Sequence, residues 1–203
     1  MQNGARRVLD WGCGSGEYRP LVTALGHRYV GFDVAGDAAD VRGDAHTLPF
    51  AHAVFDHVIT NAVLEHVADP FAATREIARV LRPGGCLSGS VAFLEPHHYD
   101  SHFHLSPDGV THVLTEAGLV VEALWPQEHW LVFDSLAAMP GPITAPTRLG
   151  LRLLAHLERL LRSRHLHPRA IASGRWLRAR DDAELRDERL VITGQVDFLA
   201  RKP

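Results

Sequence analysis

The chain has 203 residues, 46% of them hydrophobic, and a formal net charge of -3, which is enough for one well-buried globular domain and short for two. That balance excludes a wholesale polycation, and no segment approaches the roughly 18 uncharged residues of a membrane span or the apolar core of a leader peptide. Two cysteines, Cys13 and Cys86, form neither a disulfide framework nor a zinc set, so a reducing cytoplasm is the expected compartment.

The first predicted strand, VLDW at 8–11, runs into Gly12, Gly14 and Gly16 and a helical pattern over 17–25. Glycines at alternate positions let the backbone turn sharply and a ligand touch it, at the strand end where open α/β sheets bind. A dinucleotide loop would put its third glycine at position 17, which is Glu17. A carboxylate there disfavours a pyrophosphate, and with it nicotinamide-dependent oxidoreduction. The second strand, 28–34, reaches Asp33, where an acid can accept both hydroxyls of a ribose.

A strand at 54–60 follows, then a helix over 70–81 with Asp69 as cap and Pro70 at its first position, and a strand at 84–94. Ser106 and Pro107 repeat the capping device before a helix to 117, and a strand occupies 119–125. Strand and helix in alternation predict a mostly parallel sheet covered on both faces. After a proline-rich stretch at 139–146, residues 147–164 form an amphipathic pattern roughly 27 Å long. Leu153, Leu157, Leu160 and Leu161 group on one side of it, opposite Arg148, Arg152, Arg159 and Arg162. A last strand is predicted at 189–202, so the expectation is one domain over 1–203 with a helical basic insert at 126–185.

VLDWGCGSG, GFDV, GDAHTLPF, FDHVITNAVLEHVADP and REIARVLRPGG resemble the successive motifs of class I S-adenosylmethionine-dependent methyltransferases, and most closely their small-molecule branch. The resemblance covers about 7–125 and implies a Rossmann-like, doubly wound, mostly parallel seven-stranded sheet with an antiparallel last strand. It implies S-adenosyl-L-methionine as cofactor and in-line methyl transfer to a small-molecule acceptor. By the same resemblance Asp10 serves the methionyl ammonium, Gly12, Gly14 and Gly16 line the cofactor, and Asp33 takes the ribose. Phe32 and Val34 lie near the adenine, Asp44 and the Ala45 N–H meet its edge, and Asn61 offers its carbonyl to the ammonium.

Two departures from the family are visible. Only ten residues separate Asp33 from Asp44, too few for the usual helix, and the chain starts close to its first strand, where family members carry covering helices. The insert at 126–185 is the expected lid or acceptor region.

Methyl transfer to a hydroxyl, amine or acidic carbon is helped by a base. LEPHHYDSHFHLSP supplies His97, His98, His102 and His104, and His66 in LEHV joins them as a candidate for that one general base. A polar loop whose histidines cap and hydrogen-bond stays open as the alternative. Zinc is not expected, because the spacing matches no structural site. Phe93, Tyr99, Phe103, Trp125, Trp130 and Phe133 could line an acceptor pocket or pack beneath the loops. Residues 147–180 hold nine arginines and one acid, Glu158, a basic arm on an acidic body. Without stacking motifs a nucleic-acid partner is not expected; a homodimer is left open. A non-catalytic subunit that binds S-adenosylmethionine or S-adenosylhomocysteine is the alternative function.

Overall fold

Val8, Leu9, Asp10 and Trp11 are all buried in the computed structural model, which describes residues 4–127, 136–137, 144–161 (backbone only from 158) and 193–203. Burial on both faces marks a central parallel strand. This is β1 (Arg7–Trp11), which pairs in parallel with β2 (Arg28–Asp33) on one side and β4 (Phe55–Asn61) on the other. β2 pairs with the two-residue β3 (Val41–Arg42), and β4 with β5 (Leu81–Ala92), both in parallel. With β6 (Val120–Pro126) and β7 (Gln195–Arg201) the sheet runs β3-β2-β1-β4-β5-β7-β6.

β7 runs against the others. The Gly84 N–H donates to the Lys202 carbonyl and the Phe93 N–H to the Gly194 carbonyl, both at 2.8 Å. Numbers therefore fall along β7 as they rise along β5, which is the antiparallel last strand the sequence implied. β3 carries no pattern of its own and was not among the strands read from the residues; it forms because the chain returns beside Phe32 and Asp33.

The helices are α1 (Arg19–Ala24), α2 (Pro70–Val80), α3 (Pro107–Glu116) and α4 (Ala145–Leu161). Both predicted caps are made: Asp69 accepts from the Ala72 N–H at 2.9 Å and Ser106 from the Gly109 N–H at 3.1 Å, with proline in the first turn of each helix. α1 starts two residues later than the pattern, because residues up to Tyr18 are spent on the glycine turn. No helix lies between β2 and β3, as the spacing required, and Tyr29 and Val30 stay half-buried in consequence.

The chain divides into two compact units, one of Met1–Val91, Tyr99–Leu124 and Asp197–Pro203, the other of Ala92–His98 and Trp125–Val196. The first holds the glycine loop. The second holds α4, whose Leu153 and Leu157 are 61% and 48% exposed while Ala155 is buried. The amphipathic pattern was legible, but its leucine side is not the packed side.

Candidate functional site

A cavity of about 800 Å³ opens at the carboxyl ends of the strands, where the sheet order reverses between β1 and β4. Topology alone makes this the ligand crevice of an open α/β sheet. Trp11 and Gly12 reach it from β1, Phe32 to Val34 from β2, Arg42 to His46 from the end of β3, and Ala62 and Val63 from the end of β4.

Gly12, Gly14 and Gly16 all have positive φ, between 48° and 78°. At Gly12 a side chain would also collide with Val63. Its N–H donates to the Phe32 carbonyl at 2.8 Å, so the loop is pinned to β2 and its backbone faces the cavity.

The Asp33 carboxylate holds this corner together. Oδ1 accepts from the Ala35 and Gly36 N–H groups and Oδ2 from the Gly14 N–H, each at 2.9 Å. Burial works against the charge, but these backbone donors outweigh it and hold the carboxyl below its ordinary 3.8. Two donors fill Oδ1, while Oδ2 keeps a lone pair. Gly36 is required here, since a Cβ would press on the Gly14 carbonyl and on Asp33 itself, at 2.8 and 2.9 Å.

Asp10 behaves oppositely. It is 2% exposed, and burial raises its carboxyl above 3.8; the Tyr29 hydroxyl, donating to Oδ2 at 2.5 Å, pulls against that, and the charges of Asp33 and Glu17 add to the rise. Arg19 lies 4.3 Å from the Tyr29 ring centroid and pairs with Asp40 at 3.0 Å. Asp10 therefore sits behind the loop rather than on the cavity wall. Three acids around one turn make a negative field that favours a cationic ligand.

Asp44 and Ala45 line the far rim. Asp44 Oδ1 accepts from the His46 N–H at 2.9 Å and meets His46 Nδ1 at 2.7 Å. The backbone bond first, then the ring, lowers the carboxyl below 3.8. His46 Nε2 accepts from the Asp69 N–H at 3.1 Å, which assigns the ring proton to Nδ1. Phe32 is buried and stacks edge-on against Phe50, 5.9 Å between centroids, so it is floor rather than platform, whereas Val34 stands exposed at the mouth.

On the other wall β4 ends at Asn61, whose side-chain oxygen accepts from the Ser90 hydroxyl at 2.5 Å. Ala62 follows at φ 53°, a conformation that costs a non-glycine residue about 1 kcal/mol. Val63 leads into a single 3₁₀ turn, Leu64–His66. The Glu65 carbonyl accepts from the His102 N–H at 2.6 Å and from the Phe103 N–H at 3.2 Å. This fastening brings His102 to the same cavity as His66.

Among the sequence candidates, Gly12, Phe32, Asp33, Val34, Asp44, Ala45, His66 and His102 line one cavity. Asp10, Gly14, Gly16 and Asn61 brace it from the loop and the strand ends, and His104 bonds Ser101 at 3.3 Å outside its lining. His97 and His98 fall in the second unit, where His98 bonds the Pro96 carbonyl at 3.0 Å. Phe93, Tyr99, Phe103 and Trp125 are not in the cavity lining, and Trp130, Phe133 and the arginines from Arg162 to Arg180 lie outside the described residues. Trp11, Arg42, His46 and Ala62 were missed. His46 alone carried a signal, since it sits two residues past Asp44.

Comparison with known proteins adds identity to this geometry. Residues 9–88 match the family model described as a methyltransferase domain. An uncharacterized methyltransferase of Mycobacterium sp. (strain KMS) is 40% identical over 93 residues, 40% of this chain and 37% of that protein. A ubiquinone biosynthesis O-methyltransferase of Dinoroseobacter shibae is 31% identical over 147 residues, 56% of this chain and 59% of that protein. The matched part thus spans 37% to 59% of these relatives' length, less than two thirds. The crystal structure of a putative sarcosine dimethylglycine methyltransferase from Galdieria sulphuraria shares the fold, with TM-score 0.60 and 18% identity over 97% of this chain and 78% of that one. Residues 9–88 thus match a methyltransferase domain, and the fold is one shared with solved methyltransferase structures.

Proposed function

We propose that the chain binds S-adenosyl-L-methionine in this cavity and transfers its methyl group to a small-molecule acceptor. The observation that carries the proposal is Asp33, ionised at the rim beside the glycine loop with Oδ2 still able to accept. A neutral diol on a positively charged ligand satisfies that carboxylate, whereas a phosphate would meet Asp33, Asp10 and Glu17 together.

In this reading Asp33 holds the ribose, Asp44 accepts from the adenine amino group and the Ala45 N–H donates to a ring nitrogen. The methionyl end lies against the glycine loop, with Asp10 and Asn61 supporting it from behind the cavity lining. When bound, the sulfonium supplies an electrophilic methyl, so the protein's own task is alignment and exclusion of water. His66 or His102 takes the acceptor's proton on an imidazole nitrogen. The O-methyltransferase name of the Dinoroseobacter relative supports a hydroxyl as the methylated group. Cys13 and Cys86 are free thiols, in keeping with a reducing cytoplasm.

Calorimetry with S-adenosylmethionine, S-adenosylhomocysteine and NAD tests the cofactor. Binding of the first two and not of NAD is expected, and silence from both would end the proposal. Transfer of labelled methyl to hydroxylated acceptors then separates an enzyme from a binding subunit.

A further inference from the structure

Behind the glycine loop the charge of Asp10 depends on one neighbour. Asp10 is buried, and burial raises its carboxyl above 3.8; the Tyr29 hydroxyl, 2.5 Å from Oδ2, is the strongest influence in the other direction. Burial first, then this bond, holds the Tyr29 phenol above its ordinary 10, so the hydroxyl keeps its proton and is the donor. It lies beneath the loop, since a Cβ on Gly16 would stand 3.8 Å from it.

Tyr29 is itself held in place. Residues 34–40, between β2 and β3, are turns and bends, and Arg19 of α1 covers the ring, its guanidinium 4.3 Å from the centroid. Arg19 Nη2 donates to the Ala38 carbonyl at 2.8 Å and to Asp40 at 3.0 Å, and Asp40 accepts from the Gly31 N–H at 2.8 Å. The brace thus ends on backbone at both sides of the ring. Of the other groups that face Asp10, Asp33 and Glu17 oppose its charge, while Tyr18 before α1 and Cys13 in the loop are both raised by burial and carry none. Tyr29 and, less strongly, Arg19 favour it.

We propose that Tyr29 is a positioning residue for cofactor recognition: its hydroxyl keeps Asp10 charged behind the loop, and that charge selects ligands bearing an amino-acid ammonium over the bare nucleoside. The inference rests on the cofactor reading. Asp10 is not in the cavity lining, so it acts across the loop as a field. An ammonium is favoured only while Asp10 is ionised. Affinity for it therefore falls as pH drops through the Asp10 range, and loss of the Tyr29 hydroxyl moves that fall to higher pH.

Calorimetry on the full chain tests this with S-adenosylhomocysteine, which carries the ammonium, and 5′-methylthioadenosine, which lacks the amino-acid part. At about pH 6, Tyr29→Phe, which keeps the ring under Arg19, is expected to weaken S-adenosylhomocysteine about tenfold and to leave 5′-methylthioadenosine within about twofold. The loss should shrink as pH rises, and in an Asp10→Asn background the same substitution should cost less than about twofold. Equal losses for both ligands, a loss independent of pH, or additive effects of the two substitutions would overturn the proposal. If circular dichroism shows Tyr29→Phe unfolded, Arg19→Gln, at a half-exposed position, decides: a loss of about threefold for S-adenosylhomocysteine alone is expected, and an unchanged ratio of the two affinities rejects the role. A wild type that binds neither ligand would sink the cofactor reading and this proposal with it.

Discussion

The ends of β1 and β2 lie side by side and each carries an aspartate, yet the two acids are held in opposite ways. Asp33 is wrapped by three backbone N–H groups and driven below its ordinary titration range, whereas Asp10 is buried with one hydroxyl donor and driven above it. Position at a strand end does not fix what an acid does. Backbone donors, which cost no side-chain ordering, keep Asp33 charged; the lack of them leaves Asp10 with a charge that burial penalises.

Removing Asp33 should have the largest effect. Asp33→Ala strips the acceptor from Gly14, Ala35 and Gly36 and, in the proposed function, from the ribose; it is expected to weaken S-adenosylmethionine binding about a hundredfold and stability by about 2 kcal/mol, read by calorimetry and urea melts. Wild-type affinity in that variant would detach Asp33 from the site. Asp10→Asn should do something qualitatively different: cofactor affinity falls about tenfold, while the apo protein melts roughly 2–4 °C higher because a buried charge is gone and the Tyr29 hydroxyl keeps its acceptor. A lower melting temperature would show that Asp10 supports the fold instead.

The same contrast appears in pH dependence. Asp33, with its folded pKa depressed, contributes stability that is present above 3.8 and lost as pH falls through its folded value. Asp10, with its folded pKa raised, favours the folded state only while protonated, so its contribution is lost as pH rises from 3.8 through its folded value. Subtracting the stability–pH curve of each variant from the wild type's should give slopes of opposite sign.

Asp44 provides an intermediate case, an exposed acid positioned by a side chain. His46→Ala should weaken cofactor binding roughly fivefold, while S-adenosylmethionine and an analogue lacking the adenine amino group become harder to tell apart. An unchanged preference would limit His46 to the loop. The smallest effect is expected at Ala62, where glycine should raise stability by up to about 1 kcal/mol by relieving the positive φ.

The glycines, the acids and the helix caps were legible because each is a local device: a residue type at a fixed offset from a strand or helix end. β3 was not read from the residues, since two residues carry no periodicity, and its pairing depends on the chain's return beside β2. Arg42 and Ala62 were not legible either, because a cavity wall is a matter of which strand ends lie together. The histidine loop was read as one cluster, yet only His102 reaches the cavity, brought there by two hydrogen bonds to the Glu65 carbonyl that no sequence pattern announces. For α4 the periodicity was legible and the packed side was not, since amphipathicity states that a face is apolar without saying what covers it.

The bonds from Asp44 through His46 to the Asp69 backbone tie the cavity rim to the capped first turn of α2. A ligand that immobilises Asp44 therefore also restrains the residue that closes that helix. Fraying of α2 becomes a remote reporter of occupancy: the Ala72 amide, bonded to Asp69, should exchange with deuterium more slowly when the rim is filled, and His46→Ala should silence the signal without emptying the cavity.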